Sequence, residues 1–116
     1  MIITHVYAAN EPLRSEIDEL RGPAVLEFGS PWCGFCRRAE FHIQEALSGH
    51  PDVRHIKIAD ASGRQLGRSF RVKLWPTLVF LKDGQEVTRV IRPVDSADIR
   101  ALASIDNLTA SVSVSL

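Results

Sequence analysis

Short apolar runs separated by turn residues dominate the pattern of hydrophobic positions along the chain. Five of them predict β-strands, at residues 2–7, 24–28, 53–59, 78–81 and 87–91. The run at 24–28 is apolar at almost every position, which is typical of a strand buried on both faces. Asp83-Gly84, between the last two runs, predicts a hairpin turn.

Apolar residues at helical spacing between these runs predict four helices. We expect Asn10 to cap the first helix, and Asp95 or Ser96 to cap the last. The second helix should run to about Ser48, and the third is a short amphipathic helix that carries Leu66 and Phe70. The resulting order, βαβαβαββα, predicts an α/β fold whose mixed central sheet is covered by helices on both faces.

Length and charge favour one globular domain. The chain has 116 residues, of which 45% are hydrophobic, and its 14 basic residues balance 14 acidic ones. A neutral chain predicts no nucleic-acid partner and no basic membrane-binding surface. We expect the domain to span 1–105, and 106–116 to form a flexible tail. The alternating serines of that tail leave an edge strand as the alternative.

The N-terminal residues carry neither the basic nor the long apolar region of a signal peptide, and no stretch approaches a membrane-spanning length. We therefore expect a cytoplasmic protein without a membrane contact. An exported protein remains the alternative if the chain is a trimmed mature form.

The candidate chemistry lies in the two cysteines, Cys33 and Cys36, which follow the buried run at 24–28 and begin the second helix. In a reducing compartment this spacing predicts a dithiol redox site or a metal site. The helix start favours a negative charge on Cys33, and the thiolate is the nucleophile in disulfide exchange. Cys36, one turn further along, should be more buried. We therefore predict that Cys33 attacks and Cys36 resolves.

A metal site is the weaker alternative, and we expect none. Two cysteines supply half of a structural zinc site, and the four histidines are scattered. A cluster of iron and sulfur bridging two chains would be the one credible form.

The motifs together resemble the thioredoxin family. The resemblance rests on Val25-Leu26-Glu27-Phe28, Trp32-Cys33-Gly34-Phe35-Cys36, Trp75-Pro76-Thr77 and Lys82-Asp83-Gly84, and it extends over residues 2–105. It implies the thioredoxin fold. It also implies a cis bond before Pro76 that places the Trp75 backbone opposite Cys33, where a substrate chain pairs with it.

Glu27 resembles the family's buried acid, which is usually an aspartate, and would take a proton from Cys36 during resolution. The resemblance implies a buried lysine beside it. We assign Lys57 to that place, with His55 as the alternative, and a simple ion pair remains an alternative to a catalytic role.

Several residues around the cysteines are predicted to contact substrate. Trp32 would shield the disulfide or serve as a core aromatic, and Gly34 would form a tight turn approached by a partner. Three departures from the family pattern predict a narrower set of partners. Phe35 replaces the usual proline and should make the site more oxidising, Trp75 replaces an aliphatic residue, and Arg92 replaces a glycine.

The resemblance implies a thiol–disulfide oxidoreductase that reduces protein disulfides. Its Cys33–Cys36 pair would need no bound cofactor, and a reductase or a partner dithiol would supply electrons. We expect a monomer. The alternative function is a thioredoxin-fold binding module, a chaperone or assembly subunit, with incidental redox activity. The sequence leaves open whether disulfides are reduced, formed or isomerised.

Overall fold

A four-stranded mixed sheet packed between helices forms the part of the chain that our computed structural model describes, residue 7 and residues 10–103. The strands are β1 (Pro23–Gly29), β2 (Arg54–Ala59), β3 (Thr77–Lys82) and β4 (Gln85–Ile91). The helices are α1 (Arg14–Asp18), α2 (Gly34–Ser48), α3 (Gln65–Ser69) and α4 (Ser96–Ala103). The predicted α/β class with a mixed sheet is confirmed.

The strand order is β2-β1-β3-β4, which places β1 inside the sheet. β1 runs parallel to β2 and antiparallel to β3, and β4 is antiparallel to β3. Strand β1 is therefore buried on both faces, as its continuous apolar sequence predicts.

Alternate residues of β1 enter two separate cores. Val25 packs with the buried face of α2 and with Ile99 of α4. Leu26 packs with Ile17 of α1 and with α3. Because successive side chains of a strand point to opposite faces, Glu27 lies on the same face as Val25, beneath α2. The sheet thus delivers a carboxyl group to the helix that carries the cysteines.

The predicted hairpin joins β3 to β4. Asp83 and Gly84 have φ angles of 50° and 80°, the left-handed values that a type I′ turn requires at both central positions. A Cβ at Gly84 would collide with the backbone of Asp18, so this position needs glycine for space as well as conformation. The cap of α4 is confirmed too, because the Asp95 carboxylate accepts a hydrogen bond from the Asp98 N–H at 3.1 Å.

The predicted start of the first helix is wrong. Helix α1 begins at Arg14, and Leu13 is its N-cap with an extended backbone. A helix capped by Asn10 would place Glu11 in its first turn, but the residue before a proline disfavours the helical conformation, and Pro12 follows. The Glu16 carboxylate instead accepts a hydrogen bond from the Leu13 N–H at 2.8 Å.

Two predicted segments lie outside the described residues: the opening strand, apart from Tyr7, and the tail at 106–116. Tyr7 itself is not in a strand. None of the helices in the described residues combines the length and the apolar character needed to cross a membrane.

Candidate active site

Cys33 is the N-cap residue of α2. Its sulfur accepts a hydrogen bond from the Cys36 backbone N–H at a donor–acceptor distance of 3.2 Å. Unpaired N–H groups and the helix dipole both favour negative charge at this position. On its other side the Cys33 thiol lies 3.9 Å from the Trp75 carbonyl oxygen. Both cysteines are free thiols, and Cys33 is the more exposed of the two.

Cys36 lies one turn into α2 and is only 4% exposed. Burial raises the pKa of its thiol to about 12, with further contributions from the hydrogen bond to Cys33 and from the charges of Cys33 and Glu27. Cys36 is therefore protonated at neutral pH. As the sequence predicts, Cys36 is the more buried of the two thiols.

This difference predicts selective alkylation. Because burial raises the pKa of Cys36 to about 12, its thiolate fraction at pH 7 is far below that of an ordinary cysteine, and only the thiolate reacts. We expect a brief pulse of iodoacetamide to label Cys33 and leave Cys36 unlabelled, measured by fragmenting the peptide that contains both. In urea the two cysteines should react at similar rates. Equal rates in the folded protein would contradict this assignment.

A glycine at the end of β1 makes room for the buried thiol. A Cβ on Gly29 would lie 2.7 Å from the Cys36 sulfur and 3.1 Å from the Tyr7 hydroxyl oxygen. The first distance is too short for any side chain. Gly29 thus allows α2 to pack closely on the strand that carries Glu27.

Glu27 is buried between two residues of β2. Its Oε1 lies 2.8 Å from His55 Nε2, and its Oε2 lies 3.7 Å from Lys57 Nζ. The parallel register pairs Glu27 with Lys57 and places His55 beside Val25, so both basic side chains share the face of the acid. Both candidates for the buried partner therefore contact Glu27, and His55 makes the closer contact.

The second oxygen of this carboxylate makes a looser contact than the first. Glu27 Oε2 is buried and accepts no hydrogen bond from the described residues. Lys57 lies 3.5 Å from Glu40 Oε1 as well, at the border between the buried pair and solvent. Oε2 lies beside the Lys57 ammonium, and the charge of Glu27 contributes to the raised pKa of Cys36.

A groove of about 260 Å³ leads from solvent to this cluster, and its walls include Tyr7, Cys36, Glu40 and Lys57. The Lys57 ammonium lies 4.6 Å from the centre of the Tyr7 ring. Burial raises the pKa of Tyr7, and the neighbouring negative charges raise it further, so its hydroxyl stays protonated at neutral pH. The groove thus opens to solvent beside Cys36 and beside Lys57, which contacts Glu27.

Trp75 and Pro76 lie opposite the cysteines. The bond between them is cis, as predicted. The Trp75 indole is half-buried, and its Nε1 donates a hydrogen bond to Asp60 Oδ2 at 2.9 Å. This bond fixes the indole, while the carbonyl oxygen of the same residue faces the Cys33 thiol.

Arg92 adds a charge beside the same carbonyl group. Its Nε donates a hydrogen bond to the Trp75 oxygen at 2.9 Å, and its guanidinium carbon lies 4.0 Å from the centre of the Phe35 ring. The φ of Arg92 is 52°, in the left-handed region that residues with a Cβ seldom adopt. Glycine adopts such a φ without strain, which explains why the family pattern has a glycine at this position. The hydrogen bond and the ring contact hold the arginine in its place.

The three remaining substrate candidates surround the cysteines. Trp32 is 87% exposed, so the alternative of a core aromatic is wrong, and shielding of the disulfide stays a prediction. Gly34 has an ordinary φ and opens α2, so the predicted tight turn is wrong. A Cβ at Gly34 would meet no atom within 4 Å. Phe35 is 46% exposed beside Arg92.

Sequence reasoning missed three residues of this site: Tyr7, Asp60 and Arg38. The apolar run at 2–7 predicts only a strand for Tyr7, and no motif includes Asp60. No motif includes Arg38 either, although its guanidinium carbon lies 4.8 Å from the centre of the Phe35 ring. The spacing of Phe35 and Arg38, three residues apart on one helix, was the available signal.

No group of three or more metal-binding side chains occurs in residues 7 and 10–103. The residues near the cysteines instead include a carboxylate, a histidine and a lysine already engaged with one another. A carboxylate, an imidazole and an ammonium group in contact are chemically suited to proton transfer.

Known proteins resemble the chain over most of its length. The family model described as Thioredoxin matches residues 4–104. A solved structure of thioredoxin 2 from Pseudomonas aeruginosa PAO1, in its reduced form, is 49% identical, with a TM-score of 0.77. That match covers 84% of this chain and 91% of the other.

Curated relatives match a shorter part of the chain. Mitochondrial thioredoxin-3 of Saccharomyces cerevisiae is 31% identical over 67 residues, covering 58% of this chain and 53% of its own. Thioredoxin H-type of Fagopyrum esculentum is also 31% identical over 67 residues, covering 58% of each chain. The chain thus spans between half and two thirds of the length of these two relatives. With the family model matching nearly the whole chain and the fold shared, the chain belongs to the thioredoxin family, whose members are thiol–disulfide oxidoreductases.

Proposed function

We propose that this chain is a thiol–disulfide oxidoreductase that reduces disulfide bonds of proteins. The observation that carries the proposal is the asymmetry of its two thiols. Cys33 caps a helix and is partly exposed, whereas Cys36 is buried and keeps its proton. A nucleophile and a protected second thiol on one helical turn are what a two-step exchange needs.

In the first step, the Cys33 thiolate attacks one sulfur of a substrate disulfide. The substrate S–S bond breaks, a mixed disulfide with Cys33 forms, and the other substrate sulfur leaves as a thiolate that takes up a proton. In the second step, Cys36 loses its proton and attacks the Cys33 sulfur. The second substrate thiolate leaves, and a Cys33–Cys36 disulfide remains. Two electrons have passed from the chain to the substrate.

Glu27 is the proposed acceptor of the Cys36 proton. Its charge contributes to the raised pKa of Cys36, which places the two groups within electrostatic reach. Its Oε2 has no hydrogen-bond donor among the described residues, and the groove beside Lys57 connects the cluster to water. His55 holds the other oxygen and so fixes the orientation of the carboxylate.

Substrate backbone would pair beside Trp75, with Trp32, Gly34, Phe35 and Arg92 around it. The reaction needs no bound cofactor, because the dithiol carries both electrons, and a reductase or a partner dithiol would restore it. We further propose a monomer that works in the cytoplasm, where a reducing environment keeps both thiols free. The presence of cysteines only at the exchange motif supports that location.

The direction of electron flow is tested by the reduction potential of the Cys33–Cys36 couple. The protein is equilibrated in glutathione buffers of graded ratio, quenched with acid, and its thiols are counted after alkylation. We expect a potential more negative than ~−200 mV, as a reductase of the cytosol requires. A value at or above ~−200 mV would contradict the reductase role and indicate disulfide formation or isomerisation.

A further inference from the structure

A second groove, of about 460 Å³, opens on the other side of α2. It is lined by Phe35, Arg38, His42, Arg92, Pro93 and Val94. The first three of these recur at i, i+3 and i+7 and therefore share one face of the helix. The last three follow strand β4 directly. We call this surface the Phe35 groove.

The Phe35 groove combines an aromatic floor with two cations. The guanidinium carbons of Arg92 and Arg38 lie 4.0 Å and 4.8 Å from the centre of the Phe35 ring. Within the described residues, no carboxylate lies within 4 Å of either guanidinium group. The nearby Asp95 and Asp98 side chains instead accept hydrogen bonds from backbone N–H groups.

This positive charge is local, because the chain as a whole is neutral. Both faces of the Phe35 groove also carry exposed apolar surface, since Phe35 is 46% and Val94 is 78% exposed. Cations without carboxylate partners beside exposed apolar side chains are complementary to a chain segment that carries acidic and apolar residues.

The carbonyl group of Trp75 lies between the Phe35 groove and the Cys33 sulfur. The Trp75 oxygen accepts a hydrogen bond from Arg92 Nε at 2.9 Å and lies 3.9 Å from the Cys33 sulfur. A substrate whose disulfide meets Cys33 therefore brings its flanking residues to Arg92 and to the ring on which Arg38 also lies. The groove is adjacent to the point of attack.

We propose that the Phe35 groove selects protein substrates in which acidic residues flank the reactive disulfide, and that Arg38 and Arg92 bind those carboxylates. The inference rests on the proposed function and adds the substrate class to it. Arg92 also holds the Trp75 carbonyl, so Arg38 isolates the charge contact more cleanly.

Three cyclic disulfide peptides test the proposal, identical except that two glutamates, two glutamines or two lysines flank the cysteines. The rate constant kcat/KM for their reduction is measured with dithiothreitol regenerating the protein, after subtraction of the uncatalysed rate. For the wild type we expect the order Glu, Gln, Lys, with about tenfold between the extremes at low ionic strength and less in 0.5 M NaCl.

Arg38→Gln should lower kcat/KM for the glutamate peptide about three- to fivefold, as for a contact between exposed charges, and so reduce the preference for the glutamate peptide over the glutamine peptide. Arg54→Gln is the matched control. It removes the same charge from an exposed residue at the start of β2, the end of the sheet away from the cysteines, and should change no ratio. Equal rates for the three peptides, or equal losses in the two variants, would overturn the inference and leave the proposed function standing. If the protein reduces none of the three peptides, both the inference and the proposed function are overturned.

Discussion

Cys33→Ser is expected to abolish catalysis, with the rate of protein disulfide reduction falling to that of dithiothreitol alone. The serine hydroxyl cannot replace a thiolate at neutral pH, and Cys36 cannot substitute for it. Cys36 is 4% exposed and, with a pKa of about 12, carries almost no thiolate. The measurement is the turnover of insulin disulfides, followed by precipitation of the reduced chain.

Cys36→Ser should also lose turnover, but for a different reason. Its Cys33 still attacks, and the mixed disulfide then lacks an internal thiol to release it. Both variants should keep the wild-type melting temperature of the reduced protein within a few degrees, which separates lost chemistry from lost folding. Turnover above a tenth of the wild type in Cys33→Ser would contradict the assignment of the nucleophile. Full biological activity of the double variant Cys33→Ser, Cys36→Ser would favour the binding-module hypothesis.

His55→Leu is expected to cost the largest share of stability of any substitution in the site. His55 and Glu27 are 1% and 2% exposed at their side chains, and they contact each other at 2.8 Å. Removal of His55 leaves a buried oxygen of Glu27 without its hydrogen bond, which costs about 1–3 kcal/mol. The free energy of unfolding of the reduced protein, measured in urea, should fall by about that amount.

The double substitution Glu27→Leu, His55→Leu gives the decisive comparison. Replacement of both partners by apolar residues leaves neither of them unpaired, and Lys57 keeps its contact with Glu40, so the double variant should be more stable than His55→Leu alone. His50→Leu, at a histidine that is not buried, is the control and should stay within about 0.5 kcal/mol of the wild type. The stability lost in the double variant is compared with the sum of the losses in His55→Leu and Glu27→Leu. If the two are equal, the two side chains are not coupled in the folded state.

Much of the fold follows from local patterns. The apolar runs predict β1 to β4, the Asp83-Gly84 pair predicts the hairpin, and α2 ends at Ser48 as its spacing indicates. These features depend on residues close in sequence. The predicted start of α1 is wrong because two local signals conflict: Asn10 can cap a helix, but Pro12 disfavours the helical conformation of the residue before it. The effect of Pro12 prevails.

The site was predictable only where a motif carries it. The spacing of Cys33 and Cys36 is enough to predict their site. The partner of Glu27, by contrast, depends on the register of two parallel strands. That register puts both His55 and Lys57 on the face of the acid, and side-chain reach decides which one approaches closer. The contact between Phe35 and Arg92 joins residues far apart in the chain. No periodicity predicts such a contact.

The central claim is that Cys33 attacks and Cys36 resolves, and trapping the covalent intermediate tests it most directly. The Cys36→Ser variant is mixed in its reduced form with a protein disulfide, quenched with acid, and its intact mass is measured before and after dithiothreitol. We predict a one-to-one adduct linked through Cys33 that dithiothreitol removes, and none with Cys33→Ser. An adduct on Cys36 in Cys33→Ser, or none in Cys36→Ser, would contradict the account.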